Sequence, residues 1–196
     1  MITPSETLLT SLKARYNEPA RAYHTWAHIE ALLGHFHTLS DKLNDKSRVL
    51  WALYWHDAIY DPARGDNEAV SADLLRQEGR EQLPDTTREE AAHIIEATAK
   101  HQLPTQLSGE ALSDAAHFLD MDLSILAARD DVFDAYEDNI RFEYSFVPAD
   151  IYIPARANIL KGFLNREHLY FTDTCRDKWE TTARENLARS IAKLEA

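Results

Sequence analysis

Apolar residues recur every three or four positions along most of this chain, and residues that start or stop helices bound each run. In "TPSETLLTSLKARY", Thr3 stands where an N-cap belongs, Pro4 at the first helical position and Glu6 where a capping box wants it, so a helix to about Tyr16 is expected. A second helix is expected over residues 24–39. A third opens at Asp45 and runs through Val49, Leu50, Leu53 and Tyr54 into a His-Asp pair, ending near Ile59. After the "DPARGDNE" loop a fourth begins with Asp66 as candidate cap and stops at Gly79. Beyond Pro84, Thr86 with Glu89 or Thr87 with Glu90 can form a capping box for a helix reaching His101. The turn-rich "LPTQLSGEA" then precedes helices at about 111–127, 131–146, 150–165 with Pro154 in its first turns, and 174 to the end. The last carries Ala183, Leu187, Ile191 and Leu194 on one face. No alternating strand pattern, Asn-Gly or Asp-Gly turn, or internal repeat occurs. The expected fold is therefore all-α, a single-domain helical bundle over 1–196, with a core at about 21–127 on which helices at about 131–196 pack.

Several polar residues stand inside these apolar stripes. Leu50, Leu53, Tyr54 and Asp57 fall at i, i+3, i+4 and i+7, with His56 beside them above Val49 and Ala52. His28 continues a stripe with Leu32, Phe36 and Leu39, and His24 lies one turn earlier on the same face. Asp122 sits amid Phe118, Leu119, Ile125 and Leu126, whereas Asp120 has only Ala116 and Leu123 as comparable neighbours, which favours Asp122 as the inward acid. His101 lines up with Ile94 and Ala97. Burying an unpartnered carboxylate costs several kcal/mol. For one such residue a hydrogen-bonded core side chain is the simpler account; four helices each carrying one point to convergence on each other or on a cation. His28, His56, Asp57 and Asp122 are the expected ligands. Their nitrogen and oxygen donors suit Mn, Fe, Co, Ni or Zn, with Mg also admitted, and do not select among them. Adjacent helical residues point about 100° apart, so His56 and Asp57 can share an ion only near a helix end.

Composition narrows the chemistry. At 196 residues, with 44% hydrophobic and 28% charged positions, the chain can bury a real core. The single Cys175 excludes an intramolecular disulfide and any multi-thiolate metal site. A net charge of −12 disfavours a nucleic-acid polymer but leaves a small phosphorylated ligand open, because one cluster of arginines is enough to hold it. No apolar run has the length of a bilayer span and the start lacks a leader pattern, so a cytoplasmic protein without a membrane partner is expected. "HTWAH" has Thr25 where a zinc-protease helix needs Glu, and "EAAH" lacks the second copy that a carboxylate di-iron bundle requires. No P-loop, dinucleotide fingerprint or Gly-x-Ser-x-Gly elbow is present.

The ordered set of His28 in "YHTWAHI", His56 and Asp57 in "YWHDAIYD" and Asp122 in "LDMDLSILA" resembles the HD superfamily of metal-dependent phosphohydrolases. A nearer resemblance is to a subgroup of HD-type hydrolases carrying YHxxxH, HDxxYD and DNExSA stretches, the last seen here as "DNEAVSA" from Asp66 to Ala72. The C-terminal "EYSFVPADIYIPARANILKGFLNR" and "ARENL" extend the likeness over nearly the whole chain. The resemblance implies an all-α core with one or two metal ions and hydrolysis of a phosphoester in a small metabolite or nucleotide. A cation there would lower the pKa of bound water and polarise a phosphoryl oxygen. Asp57 would both ligate and orient that water. His101 or His24 would move protons or hold a second ion, and His101 is as readily a hydrogen-bonded core residue. Glu68, in the DNExSA context, is the candidate general base, and Arg141, Tyr144 and Arg156 are candidate phosphate contacts. His35, His37, His93, His117 and His168 read as surface or structural. Two other functions remain compatible: a di-iron oxygenase on the same helical core, and a non-catalytic, metal-stabilised module. Homo-oligomerisation is left open.

Overall fold

Helical periodicity carries through the whole molecule. The computed structural model describes residues 1–196 and contains nine α-helices and no strand. These are α1 (Glu6–Tyr16), α2 (Trp26–Thr38), α3 (Lys46–Trp55), α4 (Asn67–Glu78), α5 (Asp85–Thr98), α6 (Gly109–Asp122), α7 (Asp130–Glu143), α8 (Ala149–Leu164) and α9 (Asp173–Leu194). The chain forms two compact units, Met1–Met121 and Asp122–Ala196. No helix is long and apolar enough to cross a membrane.

In the first unit α3 is the spine, packed by α2, α4 and α5. Val49 to Leu53 and Trp55 are all buried, so the helix is apolar around most of its circumference, as a central helix must be. Trp51 and Trp55 stack with ring centroids 4.7 Å apart, and their Nε1–H groups donate to Ile2 O and to Glu78 Oε2. Burying such a ring contributes about 1.5–3 kcal/mol, and the paired N–H groups keep that gain from being offset. Asp45 caps α3 as expected, accepting from the Ser47 and Arg48 N–H groups. At the same end Arg48 meets Asp114 of α6 and Glu90 of α5. At the other end the His56 ring meets Phe118 of α6 with centroids 5.6 Å apart. The two helices therefore run in the same direction, from the Arg48 lock to the His-Asp pair.

The expected extension of α3 to Ile59 is not what forms. The helix stops at Trp55 with His56 as its C-cap, because side chains distant in sequence take the backbone groups that follow. Tyr16 Oη donates to Tyr54 O and accepts from the Asp57 N–H, Arg21 donates to Asp57 O and Ala58 O, and Ser71 Oγ exchanges hydrogen bonds with Ile59 N and O.

Other ends differ for similar reasons. The cap of α1 is Ser5, which accepts from Leu8 N, rather than Thr3. Neither capping box forms at α5: Thr87 Oγ1 bonds Asp45, while Glu89 and Glu90 pair with Arg76 and Arg48. Asp66 precedes α4 but its carboxylate is taken by Arg64. The fifth helix ends at Thr98, so His101 lies beyond it, with φ +45°. The sixth opens on Gly109 at φ +55°, a conformation that favours glycine, and passes at Asp122 into a 3₁₀ turn over Leu123–Ala127.

In the second unit α8 packs on α9, and α9 on the 3₁₀ turn. Asn186 Nδ2 donates to Leu126 O and Ala128 O, and Tyr170 Oη to Leu123 O, which satisfies the carbonyls that the tightened helix releases. Ala183, Leu187 and Ile191 are buried along α9, and Leu194 only partly so.

Candidate metal centre

Three helices supply the site. In α2, His28 sits on the buried stripe with Leu32 and Phe36; in α3, His56 is the first residue past the helix; Asp122 closes α6, whose other residues belong to the first unit. His28, His56 and Asp122 offer ligand atoms that all lie within 4.8 Å of one another. The Nε2 atoms of His28 and His56 are 3.2 Å apart. Two donors each about 2.0–2.2 Å from one ion stand roughly 3–3.5 Å apart at tetrahedral or octahedral angles, so this spacing fits a shared cation.

The hydrogen-bond roles agree with that fit. His56 Nδ1 is 2.9 Å from Leu53 O, and a carbonyl only accepts, so Nδ1 carries the proton. Without a second proton on the ring, Nε2 is an acceptor facing Asp57 Oδ2, 2.9 Å away. Two acceptors at that distance require a proton or a cation to reconcile them. His56 is only 1% exposed, so water is a poor substitute. Asp57 is outside the 4.8 Å group but touches both rings, its Oδ2 3.9 Å from His28 Nε2. Burial pushes the Asp57 carboxyl up, and the positive charge of His56, His24 and His28 outweighs it and holds the group well below the usual carboxylate range. A divalent ion acts on a carboxylate in the same sense. The donor set is thus two imidazoles and one carboxylate able to hold a metal ion, with Asp57 beside them.

Of the two acids in "LDMD", Asp122 is the one in this group; Asp120 is fully buried despite its few apolar neighbours in the helical pattern. His24 stacks on Tyr60, centroids 4.0 Å apart, and its charge reaches Asp57. Neither Glu68, half-buried in the first turn of α4, nor His101 belongs to the ligand group. In the second unit Arg141 donates to Tyr144 O and Val147 O and lies over Tyr152, which makes it a C-terminal cap of α7. The Tyr144 ring stacks near Phe146 and Tyr152. Arg156 is buried and bonded to Glu137 and Tyr136; desolvation lowers its pKa, but the Tyr136 and Glu137 partners more than reverse this. Both guanidinium groups are committed to partners within their own unit.

Sequence reasoning missed the residues that shape the turn carrying the ligands. Asn67 Nδ2 donates to Asp61 O and its Oδ1 accepts from Asp61 N, so with Ser71 it clamps the chain after His56 and Asp57. Both belong to "DNEAVSA", where the acidic residues drew attention and the amide and hydroxyl did not. Arg21, Tyr16 and their targets are separated by tens of residues, and no periodicity signals them. No family model, curated protein or solved structure matches the chain.

Proposed function

We propose that this chain is a metal-dependent phosphohydrolase of the HD type, acting on a phosphoester of a small metabolite or nucleotide. The observation that carries the reading is the pair of Nε2 atoms 3.2 Å apart on two buried rings, beside two partly exposed carboxylates. The donors favour Mn, Fe, Co, Ni or Zn over a hard cation that prefers oxygen alone. Such an ion supplies Lewis acidity when bound, polarising a phosphoryl oxygen and acidifying water.

The chain's own groups have distinct tasks. The Nδ1–H bond to Leu53 O fixes the His56 ring and its tautomer, as partners of ligating histidines do. His28 is held by its stripe on α2. Asp57, kept ionised and partly exposed, can accept a proton from water. His24, stacked on Tyr60 and electrostatically coupled to Asp57, is placed to relay that proton outward. The −12 charge supports a small substrate over a nucleic-acid polymer.

The test is metal analysis of protein purified without a metal-affinity tag, beside Asp122→Ala, followed by phosphoesterase assays on a chromogenic phosphomonoester and a nucleotide panel with Mn, Co, Ni or Mg. About one or two equivalents of metal, lost in the variant, with metal-dependent phosphate release, supports the reading. No metal in the wild-type protein and no phosphate release rejects it. Metal with oxygen consumption instead of phosphate release favours an oxygenase.

A further inference from the structure

Arg21 has the environment of a residue with a specific task. Its side chain is 1% exposed, yet its one carboxylate partner, Glu18, is 51% exposed. The remaining donors go to main-chain carbonyls: Nη1 to His24 O at 3.1 Å and to Asp57 O at 2.7 Å, and Nη2 to Ala58 O at 3.2 Å. The guanidinium lies over the rings of Tyr16 and Tyr60, 5.2 and 5.5 Å from their centroids. A single planar fork thus ties the segment leading into α2, which bears His24 and then His28, to the turn leaving α3, which bears His56 and Asp57.

We infer that Arg21 is a positioning residue for metal binding, setting the direction in which Asp57 leaves the end of α3. This rests on the metal-centre reading above and deepens it. Neighbouring residues of a continuing helix diverge by about 100°, which would carry Asp57 away from His56 Nε2. His56 itself keeps helical backbone angles, φ −56° and ψ −37°, and the helix ends after it; the Asp57 and Ala58 carbonyls, the first beyond that end, are the ones Arg21 holds, and there Asp57 Oδ2 lies 2.9 Å from His56 Nε2. The placement also suits charge: a cation at the C-terminal end of α3 faces the negative end of its dipole. Lysine cannot replace it, because a single ammonium on a flexible stem does not span carbonyls on two separate segments in one plane.

The experiment is titration of apo protein with Co(II), by calorimetry and by the visible spectrum of the bound ion, for wild type, Arg21→Met and Arg21→Lys, with helix content checked by circular dichroism. The expected result is binding weakened about 10–100-fold in both variants, the range for residues that orient ligands from behind, with an altered Co(II) spectrum and retained helicity. Should Arg21→Met fail to fold, Arg21→Lys keeps charge and bulk and isolates the fork. Affinity within twofold of wild type and an unchanged spectrum overturn the role of Arg21 while leaving the metal centre standing. No Co(II) binding by the wild type overturns the metal centre itself, and the inference with it.

Discussion

Asp114 and Asp122 lie on the same helix, two turns apart, and each is brought against α3, at its opposite ends. Asp114 is fully buried and answered by donors: the N–H groups of Asn44 and Asp45 at 2.8 Å each, the Asn44 amide at 3.1 Å, and Arg48. Asp122 stands instead within 4.8 Å of a ring nitrogen of each of two histidines, which a second carboxylate, Asp57, also approaches. Donors fill the first environment, and groups able to ligate a metal converge in the second. A buried charge by itself therefore does not mark a candidate site; the clustering of metal-ligating atoms from separate helices does.

The contrast can be broken experimentally. Asp122→Ala is expected to remove bound metal and all metal-dependent activity. It should also abolish the stabilisation that wild type gains from metal, about 4 kcal/mol at a free concentration 1,000 times Kd. Thermal melts with and without chelator check this; a variant melt that still responds to metal would contradict it. Asp114→Ala should do the reverse, costing about 3–5 kcal/mol in urea unfolding, because Arg48 and two N–H groups lose their acceptor, while the folded fraction keeps its metal. Equal loss of metal in both variants would erase the distinction.

Tyr16→Phe tests the turn between those ends. It removes the hydroxyl that bridges Tyr54 O and the Asp57 N–H, so about 1–2 kcal/mol of stability should go, with a smaller loss of metal affinity than at Arg21. The smallest effect is expected on the surface. Glu96 is pushed up by partial burial, but bonds to His93 and Arg76 prevail and leave its pKa below the unfolded value. Its contribution is therefore complete above the unfolded pKa and disappears as pH falls through the lower folded one. Glu96→Gln should cost under about 1 kcal/mol at neutral pH and nothing once both states are protonated, measured as unfolding midpoints against pH.

The helices themselves were legible because their signal is local. The stripe of His28, Leu32, Phe36 and Leu39 is buried as the spacing requires, Asp45 caps α3, and Gly79 follows α4. Three helical positions apart is a neighbour whatever the rest of the chain does. The same stripes singled out His28, Asp57 and Asp122, with His56 beside Asp57, since a polar residue on an apolar face is visible without knowing what it meets; of these four, His28, His56 and Asp122 form the ligand group and Asp57 lies next to it. Helix ends were less legible. Ser5 rather than Thr3 caps α1, Thr87 bonds Asp45 instead of its own helix, and α3 stops four residues early. A terminal N–H or carbonyl takes whichever partner packing delivers, and Tyr16, Arg21 and Ser71 reach theirs from 12 to 41 residues away. By itself the sequence determined an all-helical chain with histidines and acids facing inward. Only the tertiary structure decided which of those groups face donors and which face one another, because hydrogen-bond complementarity between segments leaves no periodic trace.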